Sequence, residues 1–345
     1  MHDIVDLRSD TVTQPTPAMR AAMARAEVGD DVFDEDPTAR RLQALAAQRT
    51  GTEAALFVAS GTQGNLVAIL AQTRPGQEIV LDDGCHVFNS EVAGAAQLGG
   101  LQTRALPAPR GILSPAQLRQ AIRREDIHLP RTGLVCVENT HNRHGGTCCT
   151  PEEIAALAEV AHAAGIPVHL DGARLFNAAV ALGRPAADFV RPVDTVSICL
   201  SKGLAAPAGS LLCGPAEVIA RARRVRKQLG GGMRQVGVLA AAGLVALESM
   251  VDRLAEDHRH ARQLAEGLAG LPGLRVDLAT VQTNIVRFTV DRPGGAAALA
   301  AGCAARKIKI HETGPDSIRC VTHKDVDAED VSRALDAFRE ITAGW

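Results

Sequence analysis

The chain has 345 residues, 37 Lys and Arg against 39 Asp and Glu, and no tyrosine. Seven Phe and one Trp complete its aromatic complement. A tyrosine nucleophile or proton shuttle is therefore excluded, and base-stacking platforms for single-stranded nucleic acid are disfavoured. A net charge of −2 leaves no electrostatic footprint for nucleic acid or an anionic membrane. The opening MHDIVDLRSD is charged and has no apolar stretch of the kind a secretory leader needs. No run approaches the length of a membrane-spanning helix. Eight cysteines spread over so long a chain read as small buried hydrophobes in a reducing cytoplasm rather than as a disulfide scaffold.

The first twenty residues carry no clear element and predict an arm packed on another part of the chain. From about residue 54 to residue 214, seven short β-rich runs alternate with helical patterns: AALFVAS, EIVLD, LQTRALP, GLVCVEN, PVHLDGA, TVSICL and GSLLCG. TPEEIAALAEVAHAAG predicts a helix capped by Thr150, with Pro151 at its first position and an end at Gly165. Such alternation predicts an α/β fold, with a mostly parallel seven-stranded sheet and helices on both faces. The eight residues 201–208 are too few for a parallel crossover. The last two runs should then be antiparallel neighbours, or GSLLCG should sit elsewhere. Beyond Gly230-Gly231-Gly232, Leu239, Gly243, Leu247, Met250 and Leu254 recur at helical spacing. A second helix stops near Pro272-Gly273. TNIVRFTV, GAAALAAGCAARK, IKIHE and SIRCVTH then predict strand, helix and two strands before a last helix. The expected organisation is an arm over 1–20, a large domain over 21–254 and a small α+β domain over 255–345.

Three features at predicted strand ends carry chemistry. Lys202 follows TVSICLS and precedes the small-residue turn GLAAPAG; burial there would lower its pKa toward the nucleophilic range. A surface lysine at a loop tip is the alternative. Asp171 ends PVHLDGA, where open α/β sheets bind ligands, and could hold a cationic ring nitrogen, a sugar hydroxyl or a metal, or cap the next helix. Arg174, three residues on, has the planar fork that suits a carboxylate. Ser60, Gly61 and Thr62 join a strand to a helix, and the N–H groups of such a junction cradle phosphate. Ordinary capping is the bland reading. Together, a phosphate cradle, a ring-nitrogen carboxylate and a Schiff-base lysine form the set that pyridoxal phosphate requires. His86 follows another strand and could stack on a bound ring. In THNRHGGTCC, His141, His144, Cys148 and Cys149 could ligate zinc, but without a CxxC pair the expectation is no metal.

With these residues in view, the chain resembles the low-specificity L-threonine aldolases, pyridoxal-phosphate enzymes of the aspartate-aminotransferase-like fold. DLRSDTVT, GDDVFDEDPT, SGTQGNLVA, ENTHNRHGG, HLDGARLFNA, CLSKGLAAPAGSLL, KQLGGGMRQVG and IRCVTH carry the resemblance over nearly the whole length. It implies that Lys202 binds the cofactor covalently, that Asp171 pairs with the pyridinium nitrogen, and that Gly61 and Thr62 hold the phosphate. Arg234 would add to the phosphate site, from its own or a neighbouring subunit, His86 would stack on the ring, and Ser9, Arg174 and Arg319 would grip the substrate carboxylate. His128 would stand near the substrate hydroxyl, and Lys227 lies in a matching basic stretch. His86, His128 or a water between them are the candidate bases. The implied activity is cleavage of L-threonine, L-allo-threonine and other L-β-hydroxy-α-amino acids to glycine and an aldehyde. A homotetramer built as a dimer of dimers is also implied, with sites shared between subunits. Where relatives often carry tyrosine, this chain has Phe33 and Phe88. The alternatives are a β-eliminating lyase or racemase on the same scaffold and, from a different class, a zinc hydrolase using the His141–Cys149 loop.

Overall fold

A computed structural model describes residues 4–292 and 294–345. The strands are β1 (Val5–Asp6), β2 (Ala54–Val58), β3 (Glu78–Asp82), β4 (Gln102–Leu106), β5 (Thr132–Glu138), β6 (Val168–Asp171), β7 (Thr195–Cys199), β8 (Ser210–Gly214), β9 (Leu274–Val276), β10 (Ile285–Val290), β11 (Ile308–Lys309), β12 (His311–Gly314) and β13 (Ser317–Val321). Seven of them form the central sheet in the order β2-β8-β7-β6-β5-β3-β4. All seven β-rich runs of the sequence are in it. Neighbours from β7 to β4 run parallel, whereas β8 is antiparallel to both β7 and β2. The short 201–208 link thus joins antiparallel neighbours.

Alternate residues of each strand feed opposite faces. Phe57, Val80, Val135 and Val137 join the main core with Leu42, Leu157, Phe189 and Leu247. Leu56, Val58 and Leu212 pack under the helices on the other face, as do Ile79, Leu81 and Leu134 further along the sheet. Burial on both faces is why these strands read as nearly unbroken apolar runs. The helix Pro151–Ala163 is capped as expected: Thr150 accepts from the Glu153 N–H, and the Glu153 side chain reaches back to the Thr150 N–H.

A second sheet, β12-β13-β10-β9, is antiparallel and has its own core of Leu264, Phe288, Ile318, Leu335 and Phe338. Val5 and Leu7 of the arm belong to that core, because β1 pairs in parallel with β11. Strand β9 has no counterpart among the predicted runs. The helix Pro17–Ala24 crosses the arm boundary expected at residue 20, and its Met19 is buried in the main core. Among the described residues no helix is long and apolar enough to cross a membrane.

Candidate active site

The carboxyl ends of β5, β6 and β7 lie side by side, with Glu138 opposite Asp171 and Asp171 opposite Ser197. Three positions past β7 stands Lys202, in a tight turn closed by the Ala205 N–H on the Lys202 carbonyl (2.8 Å) and the Ala206 N–H on that of Leu200 (3.0 Å). The lysine is half-buried. The Thr13 hydroxyl donates to its carbonyl at 3.1 Å, which ties the arm to the turn. Its charge acts on both Asp10 and His86.

Asp171 is buried. Its Oδ1 accepts from the Ala173 N–H (3.1 Å) and its Oδ2 from the Asn65 amide (2.8 Å). The same amide nitrogen donates to Glu91 Oε1 at 2.8 Å, and that oxygen also meets His86 Nδ1 at 2.8 Å. Asn65 in turn receives His169 Nε2 at 3.1 Å, and His169 Nδ1 lies 2.9 Å from the Thr195 hydroxyl. Burial pushes the His169 pKa down to about 4, so this ring is neutral. The hydrogen bond to Glu91 raises the pKa of His86, against burial. Burial raises that of Glu91.

The helix Gly61–Gln72 points its amino end toward the same edge. Ser60 caps it by accepting from the Gln63 N–H at 3.2 Å. The first two N–H groups of the helix have no intrahelical acceptor by construction. Glycine is required at its head: a Cβ on Gly61 would stand 2.7 Å from Cys199 Sγ.

Arg174 is buried and does not stand free as a substrate clamp. Its Nε and Nη2 grip Asp10 at 2.8 and 2.7 Å, and Asn284 adds a third bond to that carboxylate at 3.2 Å. Burial alone would raise the Asp10 pKa, but Arg174 overcomes it and holds it well below the usual carboxylate range. Only part of the Arg174 fork remains for a ligand. Arg319 donates to Asn142 Oδ1 (2.9 Å) and to the Arg8 carbonyl (3.1 Å), while its buried Nε has no partner among the described residues. Burial and the nearby Arg174 charge lower its pKa. Ser9 precedes Asp10 and caps its short 3-10 turn by accepting from the Thr11 N–H at 3.2 Å.

One expected residue is not brought in, and a second is paired elsewhere. His128 is exposed, in the loop that precedes β5. Seven extended residues of β5 separate that loop from Glu138, a span of roughly 20 Å. This histidine therefore cannot reach the site of its own chain. Arg234 is exposed and pairs with Asp30 at 3.1 Å. Lys227 borders a cavity of about 460 Å³ with Val32, Arg223 and Arg226.

The zinc reading is also redrawn. His141 and His144 approach Asp82, with potential ligand atoms within 4.8 Å, and the two cysteines are not in that cluster. The His144 N–H donates to His141 Nδ1 at 3.3 Å, which places the ring's own proton on Nε2, 2.7 Å from Asp82 Oδ2. The nitrogen a metal would need is thus committed to a hydrogen bond. Burial pushes the Cys148 thiol up to about 12 and that of Cys149 upward as well.

Residues 6–291 match the family described as beta-eliminating lyase. Low-specificity L-threonine aldolase 1 of Arabidopsis thaliana is 43% identical over 342 residues, covering 97% of this chain and 96% of that one. The low specificity L-threonine aldolase of Escherichia coli strain K12 is 42% identical over 345 residues, covering 99% and 98%. This chain belongs to the low-specificity L-threonine aldolase family. The structure of Leishmania major threonine aldolase matches with a TM-score of 0.85 at 21% identity, covering 98% of this chain and 99% of that one. Sphingomonas wittichii serine palmitoyltransferase matches at 0.80 and 18% identity, covering 99% and 88%. At such identities these structures establish the aldolase's fold alone.

Asn65, Glu91, His169 and Asp10 are the residues that motif reading missed in this aldolase. Asn65, Asp10 and His169 lie inside quoted motifs, SGTQGNLVA, DLRSDTVT and HLDGARLFNA. Glu91 follows His86 by five positions and directly precedes Val92 and Ala93, which both adopt positive φ.

Proposed function

We propose that this chain cleaves L-threonine and L-allo-threonine to glycine and acetaldehyde with pyridoxal phosphate as cofactor, and that it accepts other L-β-hydroxy-α-amino acids. The observation that carries the reading is the meeting of Lys202, buried Asp171 and the Gly61 helix head at one sheet edge. The residues fit the cofactor. The helix head excludes any side chain at Gly61, and a buried carboxylate stands ready for a cationic ring nitrogen. Lys202 would hold the cofactor's aldehyde carbon, Asp171 its ring nitrogen, Gly61 and Thr62 its phosphate, and His86 a face of its ring. Bound there, pyridoxal phosphate supplies an electron sink for charge at the substrate Cα.

The chain's own residues orient the substrate and move its protons. Ser9, the free edge of Arg174 and the unpartnered Nε of Arg319 grip the substrate carboxylate. That grip fixes which bond to Cα lies across the ring plane. His86 receives the β-hydroxyl proton, directly or through one water. The Cα–Cβ bond then breaks, the β-oxygen becomes the aldehyde carbonyl, and Cα regains a proton as glycine forms. Four carbons become two and two, with no oxidant or reductant. General-base help of this kind contributes about two to four powers of ten.

A role for His128 requires a second copy of the chain. A homotetramer built as a dimer of dimers, with shared sites, supplies one. Phe33 (71% exposed) and Val92 (88% exposed) are the apolar side chains such copies would cover.

The test is to give the cofactor-loaded protein L-threonine and measure products. Acetaldehyde and glycine in equal amounts are expected. A keto acid with ammonia would assign the chain to β-elimination instead, and inverted threonine alone would assign it to racemisation.

A further inference from the structure

The pair of buried carboxylates behind the site has a consequence for His86. Glu91 and Asp171 each offer an oxygen to the single Asn65 amide nitrogen, at 2.8 Å apiece. An amide nitrogen has two hydrogens and ionised carboxylates only accept, so both hydrogens are assigned. The Asn65 carbonyl must then face His169 Nε2, which requires a proton there. His169 supplies it, being neutral and fully buried. Its Nδ1 is left to accept from the Thr195 hydroxyl, whose oxygen receives the Gln72 amide at 2.9 Å. Every hydrogen along this wire has one acceptor, and the polarity of each bond is set from Gln72, whose amide nitrogen also donates to the Ala68 carbonyl at 3.0 Å. At its far end Glu91 Oε1 can only accept from His86, so the His86 proton sits on Nδ1. Its Nε2 then carries the free lone pair.

We propose that Glu91, held by Asn65 and His169, is a positioning residue that fixes the tautomer of His86 and raises its basicity, so that Nε2 is the proton acceptor of the cleavage. The second half rests on the reading under Proposed function; the tautomer does not. The arrangement follows the logic of a carboxylate that orients a catalytic imidazole without itself taking the substrate proton. The side chain of His86 is 32% exposed while that of Glu91 is 4% exposed, so the imidazole spans from a buried carboxylate to the open site. The other charges near His86 are Asp171 on β6 and Lys202 after β7. Glu138 at the end of β5 takes the His86 backbone N–H at 2.6 Å. Asp171 favours the imidazolium and Lys202 opposes it.

The direct test is nitrogen NMR of the histidine-labelled wild-type holoenzyme above the imidazole pKa. A protonated Nδ1 and a bare Nε2 at His86 are expected; the reverse tautomer overturns the proposal whether or not threonine is a substrate. The kinetic test is Glu91→Gln. Its kcat/KM should fall about tenfold or more, and the acid limb of its pH profile should move to lower pH. Cofactor affinity and absorbance should stay at wild-type values. In a His86→Asn background, Glu91→Gln should have no further effect. An unmoved acid limb, or full additivity of the two substitutions, overturns the positioning role. If wild type releases no acetaldehyde while the tautomer is as stated, the functional reading fails and the tautomer assignment stands.

Discussion

Asp10 and Arg174 share a buried, two-pronged ion pair at 2.7 and 2.8 Å. Removing one partner of such a pair leaves the other charge buried alone, which costs about 3–5 kcal/mol. Asp10→Ala is therefore expected to lose about 3 kcal/mol in urea unfolding and to raise the KM for threonine, because the Arg174 fork is no longer aimed. A KM and stability equal to wild type would show that Arg174 is held by something else. His86, as the proposed base, sets the expected pH dependence. Its pKa is raised by Glu91, and a base works only when deprotonated. The acid limb of kcat/KM should accordingly fall above the ordinary imidazole value of about 6.5. A limb below that value would remove His86 as the base. Lys202, Asp171 and Gly61 were legible in the sequence because strand-end position and residue type suffice to nominate them. Glu91 and Asn65 were not, since their importance lies in hydrogen bonds between residues up to 106 positions apart.

At the scale of elements, the central strands were readable because both of their faces are covered, so each is an apolar run bounded by turns. The short connection after β7 left antiparallel pairing or a place elsewhere for β8, and the pairing is antiparallel. The arm was not readable. Its strand is two residues long and exists only through pairing with β11, some three hundred positions away. Strand β9 has three residues and too short a pattern to register. The helix headed by Gly61 carries a prediction of its own. Gly61→Ala puts a Cβ 2.7 Å from Cys199 Sγ, at the head of the helix expected to hold phosphate. Cofactor affinity, measured by fluorescence titration, should fall several-fold while the fold by circular dichroism is retained. Unchanged affinity would move the phosphate elsewhere.

Across the whole molecule the arm joins the two sheets at the site. Val5 and Leu7 pack in the small core, Asp10 grips Arg174 of the large one, and Thr13 bonds to the Lys202 carbonyl. Ser9 and Arg319, proposed to grip the substrate carboxylate, are thereby attached on the side of the second sheet, and Lys202 and Arg174 on that of the central sheet. The family resemblance placed His128 near the substrate hydroxyl, whereas its own β5 carries it to the opposite end of the strand. The proposed shared sites predict an assembly larger than one chain in sedimentation at working concentration, and a monomer with full activity would exclude any role for His128. The central claim is that Lys202 carries the cofactor at this sheet edge. Borohydride reduction of the holoenzyme, followed by proteolysis and mass spectrometry, tests it most directly. The pyridoxyl mass should appear on the peptide containing Lys202; its appearance on Lys227 or another lysine, or on none, would contradict the account.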